Sequence, residues 1–512
     1  MAVNQLKAGA ALNYVIIGLN ALLGLLYTPY MLRMLGQNEY GLYSLVASII
    51  AYLTILDFGF GNAIVRYTAK FRTHNDNENQ SRMFGLFLIV YSVVGLITVA
   101  IGGVLFLNID NLFDRTMTTD EISQAKIMLG LLIFNMAATF PLSVFGSIIT
   151  AYEHFVFQKS IQIVRLLLST GVIILLLFMG YKAVAMVVVQ TVFNISVLVI
   201  NYVYCRKKLG IRLAFRRPEK SFIKEISIYS FWIFLNTIMD RIYWSTGQFI
   251  LGAVSGTVAV AVFSLAILLQ QMYMSFSGAI SGVLLPKITS IIALNKSYKE
   301  VSDIFIRTGR IQCLVIIFIL SGFIVFGNQF IYFWAGRGYS ETYAITLIFF
   351  ISLFIPLIQN TGIIILQARN QMKFRSLLYL YISICSLAAQ ILLSKAFGPV
   401  GCAWAVGMAL IVGQGVIMNF YYRRVQHIDI GRFWIEIGKI CLMPILFTVL
   451  SCVVMWAVDI ANIWQLLAAI TVYTSLFILI LWKFSMNLEE HRMISKPVTR
   501  IASALLHKSS GL

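Results

Sequence analysis

Unbroken apolar runs of about 20 residues recur along the whole chain, and they constrain its fold more than any other feature. A helix rises about 1.5 Å per residue, so about 20 apolar residues cross roughly 30 Å of hydrocarbon. Within lipid the backbone must satisfy its own hydrogen bonds, which leaves helices or closed barrels. A barrel strand alternates apolar and polar residues over about 10 positions. Runs such as 83–107 and 160–180 do not alternate. The expected fold class is an all-α polytopic membrane protein. Its 60% hydrophobic and 12% charged composition agrees with that.

Fourteen spans are expected, near 11–33, 40–65, 83–107, 125–150, 160–180, 183–205, 226–251, 258–285, 308–333, 342–367, 376–396, 400–422, 436–458 and 462–483. An even number puts both termini on one side. The loops on that side carry 32 basic residues and the opposite loops five: Arg33, Arg115, Lys182, Arg337 and Lys395. The positive-inside rule then places both termini in the cytoplasm. It also accounts for the net charge of +19 without a nucleic-acid partner. Lys7 and the first run read as an ordinary first helix, not a cleaved signal. The six cysteines are scattered without ligand spacing, so neither a disulfide framework nor a metal site is expected. There is no phosphate-binding GxxxxGK[ST] loop, and no Ser/His/Asp set or carboxylate pair near water. The chain reads as a non-enzyme without a cofactor.

The basic stretch 205–225 reads as a linker on the cytoplasmic surface, where anionic membrane lipids attract such charge. It separates two related halves. Asn20 precedes Leu35-Gly36 as Asn236 precedes Leu251-Gly252, an offset of 216. Tyr43-Ser44-Leu45 matches Phe263-Ser264-Leu265 at 220, and Asp57 falls opposite Ser277. Six spans are repeated in parallel, a pattern found in transporters with the substrate path between the repeats. The expected organisation is an N-lobe over 1–210, a C-lobe over 211–425, and spans thirteen and fourteen with the tail over 426–512.

The candidate site follows from polar residues inside these spans. Asn20 in span one, and Asn236, Asp240 and Tyr243 in span seven, recur at helical spacing and mark one semi-polar face of each helix. Such residues either line a cavity or join packed helices. A mid-membrane carboxylate costs about 2.5–3.5 kcal/mol or more, which favours a functional reading of Asp240. Arg241 is expected to contact a phosphate, for which a guanidinium offers paired donors. Asp57 stands about nine residues, roughly 13 Å of unbroken helix, before Arg66, with Gly59 and Gly61 between them. Two roles fit Asp57: ion coupling, or accepting bonds from backbone freed at the glycine break. At the cytoplasmic span ends Arg66, Arg165 and Arg310 are candidates to attract an anionic head group.

The series Pro29…Leu35-Gly36…Glu39-Tyr40-Gly41-Leu42-Tyr43 and Leu56-Asp57-Phe58-Gly59…Arg66, with the duplicated six-helix unit, resembles the polysaccharide-export branch of the MOP exporters. The likeness is greatest to the Wzx-type O-antigen flippases. It implies two six-helix lobes in a V, alternating access, and transport of undecaprenyl-diphosphate-linked oligosaccharide across the bacterial inner membrane, driven by an ion gradient or the membrane potential. A proton or sodium ion and the polysaccharide polymerase machinery are the further partners it implies. Span one carries neither the arginines of the related lipid II flippases nor a carboxylate of the bacterial multidrug branch. An organic-cation antiporter of the same superfamily is the alternative.

Overall fold

A computed structural model describes residues 5–215, 220–293, 297–369, 371–458 and 460–492. Every regular element among them is helical: α1 (Gln5–Leu53), α2 (Phe60–Thr73), α3 (Asn77–Phe113), α4 (Thr119–Ala151), α5 (Phe155–Phe178), α6 (Ala183–Lys207), α7 (Lys220–Trp244), α8 (Thr246–Ala293), α9 (Tyr298–Trp334), α10 (Glu341–Ile358), α11 (Thr361–Ala368), α12 (Met372–Leu410), α13 (Met418–Arg424), α14 (Ile430–Ala457) and α15 (Ile463–Ile480). Short polar side chains open several of them. Asp76, Asp429 and Asn462 accept from the backbone N–H three residues on. Thr118 and Glu121 cap α4 reciprocally, each bonding the other's backbone N–H.

Eleven helical segments among the described residues are long and apolar enough to cross a membrane. The difference from the fourteen expected spans lies at three glycines. Ala8–Thr73, Thr237–Ser281 and Met372–Arg424 each run on through two expected spans. They turn at Gly36 (φ 76°, ψ 173°), Gly256 (φ 80°, ψ −174°) and Gly398 (φ 57°, ψ −139°). This region is essentially closed to residues with a Cβ, so a glycine can turn the chain with no intervening loop.

These turns also correct the internal alignment. Gly36 and Gly256 have nearly the same dihedrals and stand 220 residues apart. Gly252, the match at 216, lies inside α8 with a helical neighbourhood. Tyr43 with Phe263 and Asp57 with Ser277 share the 220 offset. Carried back without a gap, it places Asn20 opposite Asp240 instead of Asn236.

The chain divides into two compact units. One comprises residues 1–265 and 383–405, the other 266–382 and 406–512. The first is centred on Tyr67, Phe84, Phe87, Tyr91, Phe145 and Ile148, all at most 2% exposed. The second buries Tyr273, Phe305, Phe349 and Phe433. Large apolar side chains also cover the outside, among them Leu96 and Val104 on α3 and Val449 and Val453 on α14. Water would penalise such a surface, and lipid does not.

Candidate functional site

The first unit contains the break expected near Asp57. After α1 the chain makes one tight turn over Thr54–Asp57, and Phe58 (φ 51°) and Gly59 (φ 68°) are both left-handed. Phe58 pays about 1–2 kcal/mol for that conformation. Gly61 starts α2 close against α4, where a Cβ would lie 3.2 Å from Ser147 Oγ. The turn leaves Asp57 half-buried, and its Oδ1 accepts a 2.7 Å hydrogen bond from the Tyr91 hydroxyl on α3. Tyr91 is itself held edge-on to Phe60 and stacked on Phe140.

Helix α7 packs against this turn. Phe234 stacks on Phe58 with ring centroids 4.6 Å apart. The hydroxyls of Tyr52 and Thr246 are hydrogen-bonded. In sequence Phe234 of α7 and Thr246, the first residue of α8, bracket Arg241, while Phe58 and Tyr52 bracket Asp57 on the opposing segment. Arg241 is half-buried, its Nε has no hydrogen-bond partner, and it makes no ion pair among the described residues. Asp240 is exposed and Tyr243 is 2% exposed, so the two point differently from one helix. Tyr243 is a packing residue here. Asn20 is exposed on α1. The Asn236 side chain lies outside the described residues.

The three other arginines separate. Arg66 is exposed, with its guanidinium 5.7 Å from the Tyr67 ring. Arg165 lies on α5. Helix α5 starts at Phe155, so Arg165 stands about 15 Å along it. It is half-buried and has neither a hydrogen bond nor an ion pair among the described residues. Arg310, a candidate to attract an anionic head group, is instead enclosed in the second unit. Its Nε and Nη2 donate to Glu490 at 2.7 and 2.9 Å, and its Nη1 donates to Glu436 at 2.8 Å. Nη2 also reaches the Ser485 carbonyl at 3.3 Å. With its side chain 7% exposed and its donors occupied, Arg310 clamps α9, α14 and the segment after α15.

Sequence reading missed a polar surface within the first unit. Asn135, Thr139, Ser143 and Ser147 recur every four residues along α4 and are half-buried. Asn194 of α6 donates to Asn135 Oδ1 at 2.7 Å and to Thr139 Oγ1 at 2.8 Å. Gln190, one turn earlier, donates to the Tyr43 hydroxyl at 2.8 Å. On α5, Gln158, Gln162, Arg165 and Ser169 share a face by spacing. The four-residue recurrence was visible in the sequence as the signal for these stripes.

In the second unit Ser277, which stands where the repeat places Asp57, is fully buried and donates to the Leu357 carbonyl at 2.8 Å. Gln312 donates to Ser277 Oγ at 3.2 Å and Ser281 Oγ at 2.6 Å. Asn360 donates to Ser281 Oγ at 3.0 Å. A neutral hydrogen-bonded cluster therefore stands where the first unit has a carboxylate and a phenol. The second unit also has an aromatic groove of about 290 Å³, lined by Tyr273 and Phe276 of α8, Phe323 and Phe326 of α9, and Tyr473 of α15.

At the ends of the first unit's helices away from Arg66 and Lys70, the two glycine turns meet. A Cβ at Gly41 would lie 1.9 Å from the Thr257 carbonyl oxygen, and one at Gly252 would lie 2.6 Å from Leu45 Cδ1. Thr116 Oγ1 donates to the Gly252 carbonyl at 2.8 Å, and Thr257 Oγ1 donates to Glu121 Oε1 at 2.9 Å. Both halves of the repeat are joined there by backbone-to-backbone packing.

Residues 6–292 match the family described as polysaccharide biosynthesis protein. Over 422 residues, 80% of this chain and 81% of the relative, the sequence is 21% identical to the uncharacterized membrane protein EpsK of Bacillus subtilis (strain 168). The solved structure of the lipid II flippase MurJ, in its inward closed conformation, aligns with a TM-score of 0.68 at 17% identity, covering 93% of this chain and 98% of that one. An inward-facing multidrug resistance MATE family transporter of the MOP superfamily aligns with a TM-score of 0.62 at 13% identity, covering 80% and 95%. At these identities the structural likeness defines the fold, which is that of a MurJ- and MATE-like transporter.

Proposed function

This chain belongs to the polysaccharide biosynthesis protein family, and from that premise we propose that it flips undecaprenyl-diphosphate-linked oligosaccharide across the bacterial inner membrane, with both termini in the cytoplasm. The observation that carries this reading is the pair Arg241 and Arg165. Both are half-buried in membrane-crossing segments and neither has an acidic partner among the described residues. An intramembrane guanidinium is costly unless it meets an anion. The diphosphate of a lipid-linked glycan is such an anion, and Arg binds phosphate oxygens through paired N–H donors. An organic cation would be repelled by the same two charges.

The remaining parts of the cargo find matching chemistry. The polar stripes of α4 and α5, with Asn194, offer amide and hydroxyl partners to sugar hydroxyls. The aromatic groove beside α15 offers an apolar seat for the polyprenyl tail. Arg66 attracts the head group from solvent. Asp240 and Asn20, exposed on α7 and α1, complete the polar lining. Asp57 couples transport to an ion: its carboxylate binds a proton or sodium ion and exchanges it for the Tyr91 hydrogen bond as access alternates.

Deleting the gene in its own bacterium tests the reading. Surface polysaccharide should disappear and lipid-linked repeat units accumulate, while susceptibility to cationic drugs stays unchanged. Arg241→Ala and Arg165→Ala should insert normally and fail to restore polysaccharide. If Arg241→Glu restores it fully, the phosphate role is wrong.

A further inference from the structure

Two contacts hold helix α7 on the turn at Asp57, one on each side of Arg241, and all of their residues belong to the first unit. The first is the stack of Phe234 on Phe58, with ring planes 26° apart. Phe234 precedes Arg241 by seven residues, so the two share one stripe of α7 about 10 Å apart along its axis. The second contact lies just past Arg241. The Arg241 carbonyl accepts from the Ser245 N–H at 2.9 Å and from Thr246 Oγ1 at 3.4 Å. With the Thr246 proton so directed, the Tyr52 hydroxyl donates to Thr246 Oγ1. Tyr52 stands five residues before Asp57 and Phe58 one residue after it. The segment that carries the carboxylate therefore grips the backbone that carries the guanidinium on both sides.

The backbone of Phe58 marks the first contact as more than packing. Its φ of 51° is left-handed, a region that glycine enters without steric penalty. The chain has a glycine at the next position, Gly59, where φ is 68°. At 58 it has a phenylalanine, and strain of that kind persists only where the surrounding contacts hold it. Those contacts are aromatic. The Phe58 ring stands between Phe60 of α2, 5.6 Å away, and Phe234 of α7, 4.6 Å away. A glycine at 58 would relax the turn and remove this bridge to α7.

We propose that Phe58 and Tyr52 are positioning residues for Arg241, which hold its guanidinium where it meets the diphosphate of the cargo. The proposal rests on the reading of Arg241 as a phosphate ligand. A side chain binds more tightly when its backbone is fixed beforehand, because less freedom is lost on contact. The same two contacts join Arg241 to Asp57. A rearrangement of the turn, such as exchange of the Tyr91 hydrogen bond for an ion, moves Phe58 or Tyr52 and with them α7. Ion binding and phosphate binding are then reciprocally linked, through the backbone and without requiring an ion pair between the two groups.

The test uses the full chain in nanodiscs of zwitterionic lipid, titrated with inorganic pyrophosphate by isothermal titration calorimetry. Arg241→Ala establishes how much of the affinity belongs to Arg241. Phe58→Leu keeps apolar volume without a ring, and Tyr52→Phe removes only a hydroxyl. Each should weaken binding about 2–12-fold, the worth of one aromatic pair or one hydrogen bond. Phe58→Tyr keeps a ring for the stack and should restore wild-type affinity. That rescue separates positioning from a general loss of folding. Phe249→Leu removes a ring contact with Phe113 elsewhere in the unit, at 5.9 Å, and should bind as wild type. The proposal is overturned by wild-type affinity in Phe58→Leu or Tyr52→Phe, by failure of Phe58→Tyr to restore it, or by an equal loss in Phe249→Leu. If Arg241→Ala itself binds pyrophosphate as wild type does, or wild type binds none, the phosphate reading of Arg241 fails and the proposal falls with it. The polysaccharide phenotype of gene deletion tests the flippase reading separately.

Discussion

Gly41→Ala should open the end of the first unit where the glycine turns meet. The added Cβ would lie 1.9 Å from the Thr257 carbonyl oxygen and 2.7 Å from its carbon, whereas real Cβ contacts essentially never fall below 3.0 Å. The obstacle is backbone, so no side-chain rotation relieves it. The turns must separate by at least about 1.1 Å, the shortfall between those distances. Thr257 cannot retreat freely, because its hydroxyl is bonded to Glu121 and Gly256 lies against the Thr116 carbonyl. Overpacking of this kind costs about 1–3 kcal/mol, which corresponds to a roughly 5–150-fold shift between a closed and an open state. Ser44→Cys, at a position 7% exposed beside this contact, reports the opening through its labelling rate with a hydrophilic maleimide on the purified protein. Cys385, the one exposed native cysteine among the described residues, is replaced by Ala beforehand. The rate should rise by that factor in Gly41→Ala and stay unchanged in Gly18→Ala, whose Cβ would meet nothing within 4 Å. Equal rates in wild type and Gly41→Ala would refute the steric argument, as would equal acceleration by Gly18→Ala.

Asp57→Asn keeps an acceptor for the Tyr91 hydroxyl, so insertion and thermal stability should stay within about 1 kcal/mol of wild type while transport is lost; wild-type flux would return Asp57 to a structural role. Arg310→Ala leaves Glu490 and Glu436 without their shared cation and should destabilise the fold by about 3–5 kcal/mol. That loss is measured as a lowered midpoint in temperature-ramped size-exclusion chromatography, with transport per folded molecule unchanged; a stable variant that cannot transport would make Arg310 a substrate residue. Asn194→Leu removes its hydrogen bonds to the half-buried Asn135 and Thr139 and should cost about 0.5–1.5 kcal/mol per bond, read by the same melting experiment; an unchanged midpoint would mean water already satisfies them. Thr118→Ala removes the α4 cap and should cost about 1 kcal/mol, seen as faster hydrogen exchange at residues 119–122 and not elsewhere in α4.

The apolar runs alone determined that this is a helical membrane protein, because length and hydropathy settle what the bilayer accepts. The glycines near Asp57 determined that the chain breaks there, since Gly59 tolerates a left-handed backbone and its neighbours then cannot continue α1. The duplication was legible too, but its register was not. Leu-Gly recurs at 216, and only the dihedrals identify Gly256 as the glycine that turns. Tertiary structure decided what each charge meets. Arg165 and Arg310 look alike in sequence, each an arginine near the start of an apolar run. One lies inside its helix without an acidic partner among the described residues, and the other is enclosed by two carboxylates, one of them from a segment 180 residues away. Pairing of that kind depends on which helices become neighbours, and helical periodicity fixes only the face from which a side chain departs.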